Sequence, residues 1–158
     1  MLIAMALLGI GFTWPILFLV IAPVIVAGIL ARMGLDSPTA RALCLFGSIY
    51  PFVWLAMVYL MWSIAWRVVG HHPSPGNDDP SHISPFVSAV YEVAALMFLG
   101  LPLAFLLGLV SLMLVVETSS PSANPVLTRA GIVYLGVWIS FGLWWALDPG
   151  EAIEWFFD

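Results

Sequence analysis

The chain has 158 residues, 63% hydrophobic and only 8% charged, with a formal net charge of −5 and a mean hydropathy of +1.09. Lysine is absent, and the basic side chains are Arg32, Arg41, Arg67 and Arg129, too few for nucleic-acid binding, which needs a dense cationic surface to displace counterions. So apolar a chain is not disordered, and its single cysteine, Cys44, excludes an internal disulfide framework and any CxxC redox or zinc site.

What remains is an all-α integral membrane protein, read as a single transmembrane domain over 1–158. Apolar runs occupy 1–30, 42–66, 86–116 and 130–147, with charged residues at their borders because an ion in hydrocarbon costs several kcal/mol. About 20 residues of helix cross the apolar layer. The runs lack the two-residue alternation of a membrane β-barrel, so each predicts a helix. The first, 1–30, has no basic leader and is too long for the core of a cleaved signal peptide. Ser37-Pro38, Ser84-Pro85 and Asn124-Pro125 each place a capping side chain before a proline suited to the first helical turn. They predict helices over 38–69, 85–117 and 125–147, which makes a four-transmembrane-helix bundle. Pro15, Pro23, Pro51 and Pro102 fall inside the predicted helices and predict kinks.

After the fourth run, Asp148-Pro149-Gly150-Glu151 has the spacing of a capping box with Asp as the cap. It predicts a short interfacial helix within 149–158, with Ile153, Trp155, Phe156 and Phe157 against lipid or protein and Glu151, Glu154 and Asp158 in water. The arginines cluster at the first and third connections, so the positive-inside rule puts both termini and loop 70–84 on the non-cytoplasmic side. Trp62, Trp66, Trp144, Trp145 and Trp155 then gather toward the outer boundary, as an interfacial belt or as a surface facing a partner.

Candidate chemistry is sparse. Glu92 is the carboxylate inside an apolar run, and Arg67 approaches it from the end of the preceding helix as the expected ion-pair partner. The alternative role for Glu92 is a proton or cation site in a small oligomeric transporter or channel. His71, His72 and His82 share loop 70–84 with acidic residues, which leaves an outward metal-binding protein as a third reading, although their spacing matches no ligand motif. Gly100, Ala104 and Gly108 make a small-residue stripe for close helix packing, and Gly136 with Ser140 makes a weaker one. No histidine lies within a predicted helix, so no haem or pigment is expected to bind through intramembrane histidine; contacts with lipid, quinone or pigment stay open. The absence of a phosphate loop, HExxH or GxSxG argues against an enzyme.

Val53-Trp54, Met61 and Ala65-Trp66 resemble one helix of the tryptophan-rich sensory, translocator-type proteins. That family has five helices and a Trp-x-Pro-Pro segment missing here, so neither its fold nor its ligands carry over. The function expected from these features is a non-catalytic polytopic subunit. It would pack against other membrane proteins and stabilise or organise a larger complex in the bilayer, an energy-converting complex being one plausible host.

Overall fold

The computed structural model describes residues 38–118 and 124–157, together with Ile21 and Ile25. Its elements are α1 (Pro38–Val69), α2 (Pro80–Ile83), α3 (Pro85–Thr118), α4 (Asn124–Leu147) and α5 (Ala152–Phe156). Among the described residues there is no strand, and three helices are long and apolar enough to cross a membrane. Those three helices suggest a membrane protein. Ile21 and Ile25 are helical and exposed, but the rest of the predicted first helix, with Pro15 and Pro23, lies outside the described residues.

The helix ends follow local chemistry. Gly70 takes a left-handed conformation after α1, at φ 79°, and its N–H donates to the Trp66 carbonyl at 3.0 Å, closing the helix with an αL motif. Asp79 caps α2, accepting from the Ser81 N–H and hydroxyl at 2.8 and 2.6 Å, with Pro80 in the first turn. Ser84 then caps α3 by accepting from the Val87 N–H at 3.2 Å. Pro51 and Pro102 sit within continuous helices, each leaving one carbonyl without its ladder donor.

α1 is the central element: half of its most apolar stretch is buried, against 22% for α3 and for α4. Its most extensive contact is with α3, and α4 packs less extensively on both. Small residues set the approach. A Cβ on Gly47 would come within 2.6 Å of the Ala104 carbonyl oxygen, one on Gly108 within 2.5 Å of the Tyr134 ring, and one on Gly100 would strike the Tyr50 hydroxyl. The stripe of Gly100, Ala104 and Gly108 therefore packs within the chain, against α1 and α4.

Polar side chains use the space so gained. Trp54 Nε1 donates to the Ala94 carbonyl at 2.9 Å, Tyr50 to Met97 at 2.9 Å and Tyr134 to Phe105 at 2.5 Å. All three fasten a neighbouring helix onto the backbone of α3. Such interhelical bonds contribute about 0.6–2 kcal/mol each in membrane proteins.

Candidate functional site

The C-terminal segment turns back over the end of the bundle where loop 70–79 also lies. The four-residue capping box does not form. Glu151, its expected far partner, holds a left-handed φ of 59° and makes no side-chain cap bond. Asp148 instead reaches across Pro149 and Gly150 to accept from the N–H groups of Ile153 and Glu154, at 2.9 and 2.8 Å. Its carboxylate also accepts from the Tyr59 hydroxyl at 3.1 Å, which ties α5 to α1. Trp155 donates its indole N–H to the Asp78 carbonyl and ties α5 to the loop. Ala152, Ile153, Trp155 and Phe156 are buried, whereas Glu154 and Phe157 are exposed.

Beneath α5 lies an aromatic cluster drawn from four elements. Trp54 is fully buried; it stacks on Trp145 at 5.3 Å between centroids and meets Phe156 edge-on at 5.6 Å. Phe98 contacts Phe157 at 5.0 Å, and Tyr91 contacts Phe156 at 5.2 Å. Trp62 and Trp155 are core residues, which removes them from an exposed belt; Trp66, Trp144 and Trp145 are half-buried in the same packing. The tryptophans gather here because α5 folds inward, a tertiary contact that hydropathy does not encode.

Glu92 and Arg67 are both exposed, and among the described residues they form no ion pair. Arg67 falls two residues, or about 200°, beyond buried Ala65, on the exposed side of α1 beside Val68. Glu92 stands on the outer face of α3, at the edge of an open groove of about 600 Å³ between α3 and α5. Tyr91, Phe98, Phe156, Leu96 and Leu99 line that groove with it. A second, apolar groove of about 400 Å³ runs between α3 and α4 past Phe98, Pro102 and Trp138.

The loop histidines diverge. His71 lies 3.7 Å from Asp78, and His82 lies 3.1 Å from Asp79. His72 packs on Trp62 and Trp66, at 4.7 and 5.3 Å. Among the described residues, no three His, Cys, Asp or Glu side chains group as a metal site. Two hydrogen bonds from Ser81 hold the Asp79 carboxyl below its ordinary range.

Gly136 and Ser140 lie on the exposed face of α4 with Ile132, Ile139 and Leu143. Ser140 donates to the Gly136 carbonyl at 2.7 Å, and among the described residues a Cβ on Gly136 would meet nothing within 4 Å. Among those residues this stripe, unlike that of α3, is open. No family model, curated protein or solved structure matches the chain.

Proposed function

We propose that the protein is a non-catalytic, multi-pass membrane subunit that packs against other membrane proteins and stabilises or organises a larger complex. The observation that carries this reading is the outer face of α4, where Gly136 and Ser140 sit uncovered among large apolar side chains. Small residues let a neighbouring backbone approach closely, so packing contacts replace lipid contacts. The corresponding small residues of α3 are already filled by Tyr50 and Tyr134, which leaves α4 as the face for a partner helix. The internal hydroxyl and indole donors described above are engaged in holding the fold, in keeping with a structural role.

Purification from its native membrane in a gentle detergent, followed by mass spectrometry, tests the proposal. Other membrane proteins should co-purify at fixed stoichiometry, and Gly136→Leu should reduce that recovery at least fivefold while the chain itself stays folded. Recovery of this chain alone, or full retention of partners by the variant, would defeat it.

A further inference from the structure

Two residues join loop 70–79 to the tail, Asp78 and Trp62, and a histidine stands against each. The Asp78 carbonyl accepts the indole N–H of Trp155 on α5. The Asp78 carboxylate accepts from the Ser74 N–H at 3.1 Å, and the Asp78 N–H donates to the Ser74 carbonyl at 3.2 Å. These bonds fix the side chain and the peptide in one turn, so a pull on the carboxylate moves the carbonyl that holds Trp155. His71 Nδ1 lies 3.7 Å from that carboxylate. The Asp78 side chain is only 12% exposed, so water and salt screen its charge weakly.

Trp62, buried near the end of α1, is the second joint. The turn of the tail lies against it: a Cβ on Gly150 would sit 3.7 Å from the indole. On the loop side, the His72 ring is 4.7 Å from Trp62 and 5.3 Å from Trp66 between centroids. Both distances fall inside the about 6 Å over which an indole attracts a cation.

Imidazole is the side chain that changes charge between about pH 5 and 8. Neutral, His71 sets no charge against Asp78, and His72 meets the indoles as one more ring. Protonated, His71 attracts Asp78 and His72 becomes a cation beside two indoles. Both changes draw the loop toward the residues that hold the tail, so they act with the same sign. The charged groups around them are Arg67 on α1, Glu92 on α3, Asp79 and His82 at α2, and Asp148, Glu151 and Glu154 in the tail. Among the described residues, Asp78 is the one carboxylate at ion-pairing distance from His71, none is so close to His72, and Asp79 pairs with His82.

We infer that this end of the bundle is an acid-tightened clasp, in which protonation of His71 and His72 strengthens the hold of loop 70–79 on α5. The added contacts belong to the protonated rings, so they are present at low pH and lost as pH rises through the imidazole range. The compartment that the loop faces thereby sets how firmly the tail is docked.

Exchange of the Trp155 indole N–H tests this, followed by NMR on the full-length protein with isotope-labelled tryptophan in detergent and assigned with Trp155→Phe. Its protection relative to free indole at the same pH should be at least fivefold greater at about pH 5.5 than at about pH 8. Combining His71→Gln with His72→Gln should remove that difference. Both positions are exposed, so helical circular dichroism should not change. Asp78→Asn keeps the carbonyl and an acceptor for Ser74 but removes the charge, and should shrink the difference without abolishing it. His82→Gln should leave it at its wild-type size. Equal or greater protection at about pH 8 would overturn the inference. So would a difference undiminished by Asp78→Asn or by the double histidine variant, or one lost with His82→Gln.

Discussion

Glycines that are equivalent in sequence do opposite things in this molecule. At Gly108 an added methyl group would press on the Tyr134 ring at 2.5 Å, whereas at Gly136 it would meet open space. Overpacking a fitted site costs about 1–3 kcal/mol, and replacing an unneeded helical glycine by alanine gains up to about 1 kcal/mol. Gly108→Ala should therefore lower the thermal midpoint in detergent, and Gly136→Ala should leave it unchanged or raise it. Equal effects at the two positions would contradict the packing described. At Gly100 the obstacle is the Tyr50 hydroxyl, so Tyr50→Phe should partly rescue Gly100→Ala although it removes the bond to Met97; differential scanning fluorimetry of the double variant measures this.

At the scale of elements, the two short helices α2 and α5 each start on a single carboxylate, Asp79 and Asp148. Asp148 accepts two N–H groups of α5 and one hydroxyl of α1. Loss of such a cap costs about 0.5–2 kcal/mol, so Asp148→Ala should loosen the first turn of α5 while its buried side chains and the Trp155 bond keep it docked. The expected signature is faster hydrogen exchange at the Ile153 and Glu154 amides with unchanged helical circular dichroism. Asp79 offers a pH test. Its folded-state pKa lies below the ordinary 3.8 because the charged form accepts from Ser81. The contribution is therefore fully present above about pH 4 and fades as pH falls through the lower folded value. Protection of the Ser81 amide against hydrogen exchange should exceed that of Asp79→Asn above pH 4, and the gap should narrow toward pH 2.5.

These elements also mark how far the sequence could be read. α1 and α3 begin at Pro38 and Pro85, and α4 at Asn124, one residue ahead of Pro125, because a cap and a proline act within one turn. Whether the apolar face of α5 meets lipid or protein was not legible. It depends on Asp148 meeting Tyr59, 89 residues away, and Trp155 meeting Asp78, 77 residues away, and no local pattern encodes such distances. Glu92 could be singled out as a charge in an apolar run. That it edges a groove rather than pairing with Arg67 follows from the rotational setting of two helices. The filled stripe of α3 and the open stripe of α4 have the same small-residue spacing, so only packing separates them.

For the molecule as a whole, the chain runs along α1, back along α3 and forward again along α4. This brings the C-terminal end of α1, the start of α3 and the end of α4 together. The indole bond from Trp155 to the Asp78 carbonyl joins the loop to the tail at that end. A membrane crossed by these three helices must then have loop 70–79 and α5 on one side, whichever side that is. Single cysteines at Asn77 and Glu154, both exposed, in a Cys44→Ala background report this directly. An impermeant maleimide added to sealed, uniformly oriented vesicles should label both positions or neither, and reversing the vesicles should reverse the result for both. Labelling of one position alone would mean that the tail lies across the membrane from the loop. Such an outcome is incompatible with a 24-residue α4 packed alongside α1 and α3, because a helix of that length, about 36 Å, delivers its end to the far side of the apolar layer.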